Sequence, residues 1–205
     1  MSFLTGWLLR LLFGPGPRPD GPTAGLNRSV TFGARVFPAE TSPAYTARVI
    51  GSEQICADDP RTRDVRALLE RHLTFSLSTT PPEHSFALDV DGLLDPAIAF
   101  FSLRADGELL GIGAIRQLDA GHAEIKSMHT AQAARGRGVG RAMLNHLLAV
   151  ARSRGCARVS LETGTMEEFA PARALYSSAG FTACGPFADY RPSADNCFMT
   201  LALRH

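Results

Sequence analysis

The sequence has no apolar run long enough to cross a membrane. Its N-terminal apolar stretch, MSFLTGWLLRLLF, ends at Phe13 and is interrupted by Arg10. A transmembrane helix needs about 20 consecutive apolar residues. The stretch also lacks the basic start and the small-residue cleavage site of a secretory signal. We therefore expect no stable membrane span and no secretion.

The chain also lacks a large excess of charge and any closely spaced cysteines. Its 21 Lys and Arg face 20 Asp and Glu, which gives a formal net charge of +1. Such a balance provides no general attraction to nucleic acid, so we expect no nucleic-acid partner. The four cysteines are far apart and form no C-x-x-C pair. This pattern is typical of reduced thiols in a cytoplasmic protein, and it predicts no metal site.

A proline- and glycine-rich segment divides the chain. Residues 14–25, GPGPRPDGPTAG, cannot hold a helix or a central strand. Residues 26–45 show no clear periodicity. We therefore predict an N-terminal extension or linker over residues 1–45, poorly ordered, and one domain over residues 46–205. The hydrophobic content of 45% is enough for that domain to bury a core.

The most informative stretch is a strand, a glycine-rich bend and a helix in immediate succession. Residues 123–130 alternate as a strand does. The predicted faces are Glu124, Lys126 and Met128 on one side, and Ile125, Ser127 and His129 on the other. From Val139 onward apolar residues recur every three or four positions, which predicts a helix that stops at Gly155.

The bend between them, Arg135 to Gly140, reads RGRGVG. Glycines let the backbone approach a ligand closely and direct N–H groups at it from the start of a helix, which suits a phosphate. The spacing G-x-G-x-G differs from the dinucleotide fingerprint G-x-G-x-x-G, and the P-loop motif is absent. The bend therefore predicts another kind of phosphate-bearing ligand, with a glycine- and arginine-rich surface turn as the alternative.

Two motifs resemble the GNAT superfamily of acetyl-CoA-dependent N-acetyltransferases. Arg135, Gly138 and Gly140 resemble its cofactor loop, Q/R-x-x-G-x-G/A. The segment ARALYSSAGF at residues 172–181 resembles its A-x-x-L-Y-x-x-x-G-F signature, which follows the loop at the expected distance. The resemblance covers residues 46–205 and implies a three-layer α/β domain with a mixed β-sheet.

The local patterns predict the same order of elements, β-α-β-β-β-α-β-α-β-β. The remaining predicted helices cover residues 62–77 and 166–179. The remaining predicted strands cover residues 46–50, 97–103, 109–118, 157–162, 181–187 and 197–203. Asp106-Gly107 is a strong hairpin signal. Gly111 and Gly113 inside a strand predict a bulge or a closely packed neighbour.

The resemblance implies the roles of the site residues. Acetyl-CoA would be held by Met128, His129, Thr130, Arg135, Gly136, Arg137, Gly138, Val139, Gly140 and Arg141. Tyr176 matches the family tyrosine that protonates the departing sulfur. Glu124 is the candidate general base, in competition with a water chain, and Glu162 is the competing carboxylate that could hold an ammonium substrate with it. His72 is a further candidate for substrate contact.

The resulting prediction is an N-acetyltransferase that moves an acetyl group from acetyl-CoA to a primary amine of a small molecule, by direct attack in a ternary complex. The motifs resemble a branch of small bacterial acetyltransferases, in which a homodimer is possible. One alternative is a protein or peptide N-acetyltransferase. Another is a non-catalytic acyl-CoA sensor, because Phe169 stands where family members often carry a cofactor-binding Asn.

Overall fold

The computed structural model of the protein describes residues 53–79 and 88–203. Within these ranges three α-helices accompany one seven-stranded sheet. The helices are α1 (Arg63–Thr79), α2 (Val139–Ser153) and α3 (Ala170–Ser178). The strands are β1 (Glu53–Ala57), β2 (Ile98–Ala105), β3 (Glu108–Gln117), β4 (His122–Thr130), β5 (Arg158–Gly164), β6 (Thr182–Cys184) and β7 (Asn196–Ala202).

The sheet is mixed, with the strand order β1-β2-β3-β4-β5-β7-β6. Only β4 and β5 run parallel, and every other neighbouring pair is antiparallel. The parallel pair follows from helix α2, which carries the chain back between the two strands. The three-layer α/β fold expected from the sequence is confirmed.

Two apolar clusters cover the two faces of the sheet. The larger one joins α2 to the sheet and centres on buried residues such as Ile125, Met143 and Leu147. The smaller one joins Val65 and Leu69 of α1 to the opposite face. Opposed residues in a ladder share a face, so the pairs Ile112–His129 and Ala114–Lys126 place both His129 and Lys126 on the α1 face.

Strand β4 departs from the predicted alternation because it contains a bulge. Gly113 lies opposite two residues, Ser127 and Met128, between the pairs that flank them. Ser127 has a left-handed backbone, with φ of 52°. A bulge of this kind shifts the alternation by one residue. Met128 therefore packs against the α2 cluster and His129 lies on the same face as Glu124, so the predicted faces of these two residues are wrong.

The glycines of β3 are needed because helix α2 packs closely on the strand. A Cβ added at Gly111 would lie 2.7 Å from Cγ1 of Val139, and one at Gly113 would lie 2.8 Å from Cγ of Met143. Both distances are shorter than real Cβ contacts allow. Both predicted features are present: a bulge opposite Gly113, and closely packed α2 side chains at Gly111 and Gly113.

Several helix and strand boundaries in the structure differ from the predicted ones, and others lie outside the described residues. Helix α3 begins at Ala170 instead of residue 166, since a short 3-10 turn (Glu167–Phe169) precedes it and Pro171 favours a first helical turn. Strand β6 stops at Cys184 because Gly185 and Pro186 follow it. The strand predicted at residues 46–50 and the boundary near residue 45 lie outside the described residues.

Candidate active site

The two parallel strands pair only at their beginnings. Their register runs from His122–Arg158 to Ile125–Leu161 and ends there, although β4 continues to Thr130 and β5 to Gly164. On its other side β4 stays paired with β3 as far as Thr130. Among the described strands, the β5-facing edge of residues 126–130 thus has no ladder partner. An edge of this kind can pair with an extended ligand as a further strand would.

The glycine-rich bend begins helix α2 close to this opening. Gly136 and Gly138 have φ of 75° and 85°, which glycine adopts at no steric cost. Gly138 is the N-cap of α2, and its carbonyl accepts a hydrogen bond from Ala142 N–H at 2.9 Å. Arg135 and Arg137 are exposed, and no atom lies within 4 Å of a Cβ built on either glycine. The bend therefore presents backbone N–H groups and two cations to solvent.

The next three residues hold the bend against the domain. Val139 is 2% exposed and packs in the core, so only its backbone is available to a ligand. A Cβ at Gly140 would lie 3.3 Å from Leu175 and 3.6 Å from Oγ1 of Thr130. Arg141 donates a hydrogen bond to Ser178 Oγ and so ties α2 to α3.

The Tyr176 side chain reaches the unpaired half of β4. It is 7% exposed, and its hydroxyl donates to the sulfur of Met128 at 3.9 Å. Burial, followed by the negative charge of Glu162, raises the pKa of the phenol above its ordinary value. The hydroxyl therefore keeps its proton at neutral pH and can donate a hydrogen bond to a thiolate.

Glu124 lies on the α1 face under the loop that precedes β7. The residue is 1% exposed, and its Oε1 accepts hydrogen bonds from Lys126 Nζ at 3.1 Å and from the Tyr190 hydroxyl. The same hydroxyl lies 2.5 Å from Lys126 Nζ. Oε2 of Glu124 is buried and has no hydrogen-bond partner among the described residues. We call the opening between β4 and β5 beyond Ile125 and Leu161 the cleft, and this trio lies on its α1 side.

Glu162 is the second carboxylate of the cleft. It follows Leu161, the last residue of β5 that pairs with β4, and it is partly buried. Burial raises its pKa to about 7, an effect that the Lys126 ammonium opposes and the Glu124 charge reinforces. Glu162 therefore changes protonation state near neutral pH, which is the range in which a general base works best.

Two neutral histidines line the α1 side of the cleft. The rings of His72 and His129 have centroids 5.2 Å apart. Burial, and then the Lys126 ammonium, lowers the pKa of His72 to about 4. Burial, and then His72 and nearby arginines, lowers the pKa of His129 to about 4. Nδ1 of His72 is buried without a hydrogen-bond partner among the described residues.

Phe169 packs over the end of β5. Its ring lies so close to Gly164 that a Cβ added there would be 2.4 Å from Cδ2 of Phe169. The ring also contacts Phe75 of α1, with centroids 5.1 Å apart. Phe169 therefore forms an aromatic contact that links α1 to the start of α3.

The family assignment follows from comparison with known proteins. The model of the Acetyltransferase (GNAT) family matches residues 63–181, more than half of the chain. This chain belongs to that family. The resemblance inferred from the two motifs is confirmed, and the protein is an acyltransferase.

Similar proteins match about seven tenths of the chain. The uncharacterized N-acetyltransferases YsnE of Bacillus subtilis and YedL of Escherichia coli are each 44% identical to this acetyltransferase, over 71% and 73% of its chain and 97% and 94% of theirs. The IAA acetyltransferase of Azospirillum brasilense is 34% identical over 71% of this chain and 94% of its own.

Solved structures of the same fold include an acyl-CoA N-acyltransferase from Klebsiella pneumoniae, with a TM-score of 0.59 and 29% identity over 74% of this chain and 98% of that one. The structure of yncA from Salmonella typhimurium with its cofactor acetyl-CoA has a TM-score of 0.56 and 22% identity, over 75% of this chain and 95% of that one. At this identity the second likeness supports the fold alone.

Within the described residues of this GNAT acetyltransferase, no group of three or more His, Cys, Asp or Glu side chains could hold a metal ion. In the same ranges no helix is both long enough and apolar enough to span a membrane.

Sequence reasoning missed two residues of the site. The predicted face of Lys126 is correct, and its position two residues from Glu124 on that face is the sequence signal for their ion pair. Tyr190 had no local signal, because its contact with Glu124 spans 66 positions of sequence.

Proposed function

We propose that this GNAT enzyme is an acetyl-CoA-dependent N-acetyltransferase that acetylates a primary amine of a small molecule by direct attack in a ternary complex. One observation carries the proposal. The pairing of β4 and β5 ends at Ile125 and Leu161, between the glycine bend on the α2 side and a carboxylate pair on the α1 side. This arrangement suits a cofactor that enters from one side and an amine that enters from the other.

The residues at the bend and at the strand edge fit acetyl-CoA. Backbone N–H groups from Gly136 to Arg141 would bind its pyrophosphate, with Arg135 and Arg137 adding positive charge. The unpaired edge of residues 126–130 would hydrogen-bond the pantetheine arm. Bound acetyl-CoA would supply the acetyl group as an activated thioester. A backbone N–H at residues 128–130 would polarise its carbonyl.

Tyr176 and Glu162 would handle the protons. The Tyr176 hydroxyl, beside Met128, would donate its proton to the departing thiolate. Glu162, with a pKa of about 7, would remove a proton from the acceptor's ammonium group. The neutral amine that results has the free lone pair needed to attack the thioester carbonyl. Glu124 was the base predicted from the sequence, and that remains a prediction. Its low exposure and its hydrogen bonds to Lys126 and Tyr190 favour Glu162.

The shape of the cleft favours a small acceptor over a protein. The loop that carries Tyr190 lies over Glu124, and the Tyr190 ring packs on Phe187 and Phe198 at centroid distances of 5.1 and 5.6 Å. A peptide would need this side of the cleft to be wide. Homodimer formation remains a prediction from the resemblance, and the resemblance implies no particular amine.

The decisive experiment measures thiol release from acetyl-CoA against a panel of small primary amines. We expect turnover with an amine, and an acidic limb near pH 7 in kcat/KM. Glu162→Gln should lower kcat about 10²- to 10⁴-fold and remove that limb. Glu124→Gln is the matched control, and the same loss there instead would make Glu124 the base. Calorimetric binding of acetyl-CoA without turnover on any amine or peptide would favour the sensor alternative.

A further inference from the structure

Lys126 stands where the opening between β4 and β5 begins. It follows Ile125, the last residue of β4 that pairs with β5, and precedes the bulge at Ser127. Its pairing with Ala114 places its side chain on the α1 face, beside Glu124. An ammonium group that belongs to the protein is thus built into the region where the acceptor's ammonium group would arrive.

Lys126 supplies the counter-charge of a buried carboxylate, through one of its two oxygens. Its Nζ lies 3.1 Å from Oε1 of Glu124 and 2.5 Å from the hydroxyl of Tyr190. The side chains of Lys126 and Glu124 are 9% and 1% exposed. A carboxylate buried to this degree needs a counter-charge, and Lys126 supplies it. Glu124 therefore has its cation before any acceptor binds.

Glu162 differs from Glu124 in this respect. Among the described residues it takes part in no ion pair. The charged groups around the cluster are Arg116 of β3, which acts on Tyr190, and Lys126 and Glu124 of β4, which act on Glu162. Burial and then the charge of Lys126 lower the pKa of His72 of α1, so His72 is neutral at pH 7. Glu162 is thus the cleft carboxylate that lacks a bound cation.

We propose that Lys126 is a specificity-determining positioning residue. By supplying the cation of Glu124 it leaves Glu162, of the two cleft carboxylates, to receive the acceptor's ammonium group, so the site selects monoamines over diamines. The inference rests on the proposed function, because it concerns the acceptor of that reaction.

Three variants test this role. Lys126→Met removes the charge and keeps the length of the side chain, which leaves Glu124 available to a second ammonium group. Lys126→Met combined with Glu124→Gln removes both charges and keeps the shapes. Lys126→Arg keeps the cation. If the single Met variant does not fold, a raised ratio in the double variant would still overturn the proposal, and the wild-type carboxyl signals of the second measurement test it directly.

The first measurement compares kcat/KM for propylamine and 1,3-diaminopropane. We expect the diamine-to-monoamine ratio to rise about tenfold in Lys126→Met, as a charge-assisted hydrogen bond to Glu124 would give. The ratio should return to the wild-type value in the double variant and in Lys126→Arg. A role confined to stability would lower both rates together and leave the ratio unchanged. An unchanged ratio in the single variant, or a raised one in the double variant, overturns the proposal.

The second measurement needs no turnover. The carboxyl ¹³C signals of the glutamates are followed in the coenzyme A complex while the same two amines are added. In the wild type we expect both amines to shift the Glu162 signal and to leave that of Glu124 in place. In Lys126→Met the diamine should shift both. If no amine is acetylated, the proposed function fails, and these signals still judge Lys126: equal shifts at Glu124 and Glu162 in the wild type overturn its role.

Discussion

The two halves of strand β4 differ in their ladder pairing and in the backbone edge that they leave open to a ligand. The first half, through Ile125, is paired on both sides, and Ala123 and Ile125 are 0% and 3% exposed. The second half, residues 126–130, is paired on the β3 side and contains a bulge. Ser127 has φ of 52° and a buried Oγ without a hydrogen-bond partner among the described residues.

The difference indicates how one strand serves two purposes. The regular half fixes the position of the strand through its neighbours and the α2 cluster. The bulged half is not paired with β5. The bulge directs Met128 to the α2 face and His129 to the α1 face. Backbone strain and unsatisfied polar groups cost free energy, and they persist where the surrounding structure holds them in place. The regular half therefore supports a second half whose backbone edge toward β5 remains available to a ligand.

The largest expected effect concerns chemistry in the second half. Tyr176→Phe removes the hydroxyl beside Met128 and keeps the ring that packs in the core. We expect kcat for thiol release to fall about 10²- to 10⁴-fold, since the thiolate then leaves without a proton donor. The affinity for coenzyme A and the thermal unfolding midpoint should change little. A kcat equal to that of the wild type would exclude Tyr176 as the acid.

The next effect concerns stability in the first half. Ile125→Ala removes buried methyl groups from the α2 cluster and should cost about 2 to 5 kcal/mol of unfolding free energy. Met128→Ala is the matched variant in the second half, and it should cost less because Met128 is only partly buried. Urea unfolding measures both variants. Acetyl-CoA affinity should fall for Met128→Ala and be retained by the folded fraction of Ile125→Ala. The reverse pattern would contradict the division of β4.

A smaller effect follows from the raised pKa of Glu162. A carboxyl whose pKa rises on folding stabilises the folded state below the unfolded pKa of 4.5, and this stabilisation is lost as pH rises through about 7. Glu162→Gln removes the buried charge and should raise the free energy of unfolding at pH 8 by about 3 kcal/mol. At pH 4 the gain should disappear. Denaturant unfolding at both pH values tests this, and a variant less stable at pH 8 would contradict it.

Much of the fold could be predicted because its signals are local. The period changed from two to three or four at Val139, and the glycine bend lay between the two patterns. Strand β1 was missed because it is an edge strand with a single buried residue, Ile55, and so shows no apolar alternation. The predicted face of Met128 was wrong because a bulge has no sequence signal as clear as a hairpin turn. Gly113, opposite the bulge, indicated only that some irregularity was present.

Individual residues of the candidate site could be predicted from the sequence. The contacts between residues far apart in the sequence could not. Motifs located Tyr176 and the glycine bend, since each is a continuous segment. The contact of Tyr190 with Glu124 and Lys126 depends on how the loop before β7 folds back over the sheet. The relative standing of Glu124 and Glu162 as bases also depends on burial and on Lys126, which only the folded chain determines.

The smallest expected effect concerns the glycine-rich bend, which would bind the pyrophosphate of the cofactor that lies along the second half of β4. Gly138→Ala places a Cβ on a residue with φ of 85°, where no other atom lies within 4 Å. The change should cost about 1 to 2 kcal/mol of stability from backbone strain alone. Gly107→Ala is the matched control, because Gly107 has φ of 83° and an equally clear surrounding in the β2–β3 hairpin.

The two variants should lose similar stability and differ in ligand affinity. Gly138→Ala should weaken coenzyme A binding about tenfold, because relief of the strained φ redirects N–H groups at the start of α2. Gly107→Ala should bind coenzyme A as the wild type does, since the hairpin makes no part of the proposed cradle. Calorimetric titration at a temperature where both variants are folded separates the two contributions. Equal affinities in the two variants would mean that the bend does not bind the pyrophosphate, and that the unpaired edge of β4 holds its ligand without it.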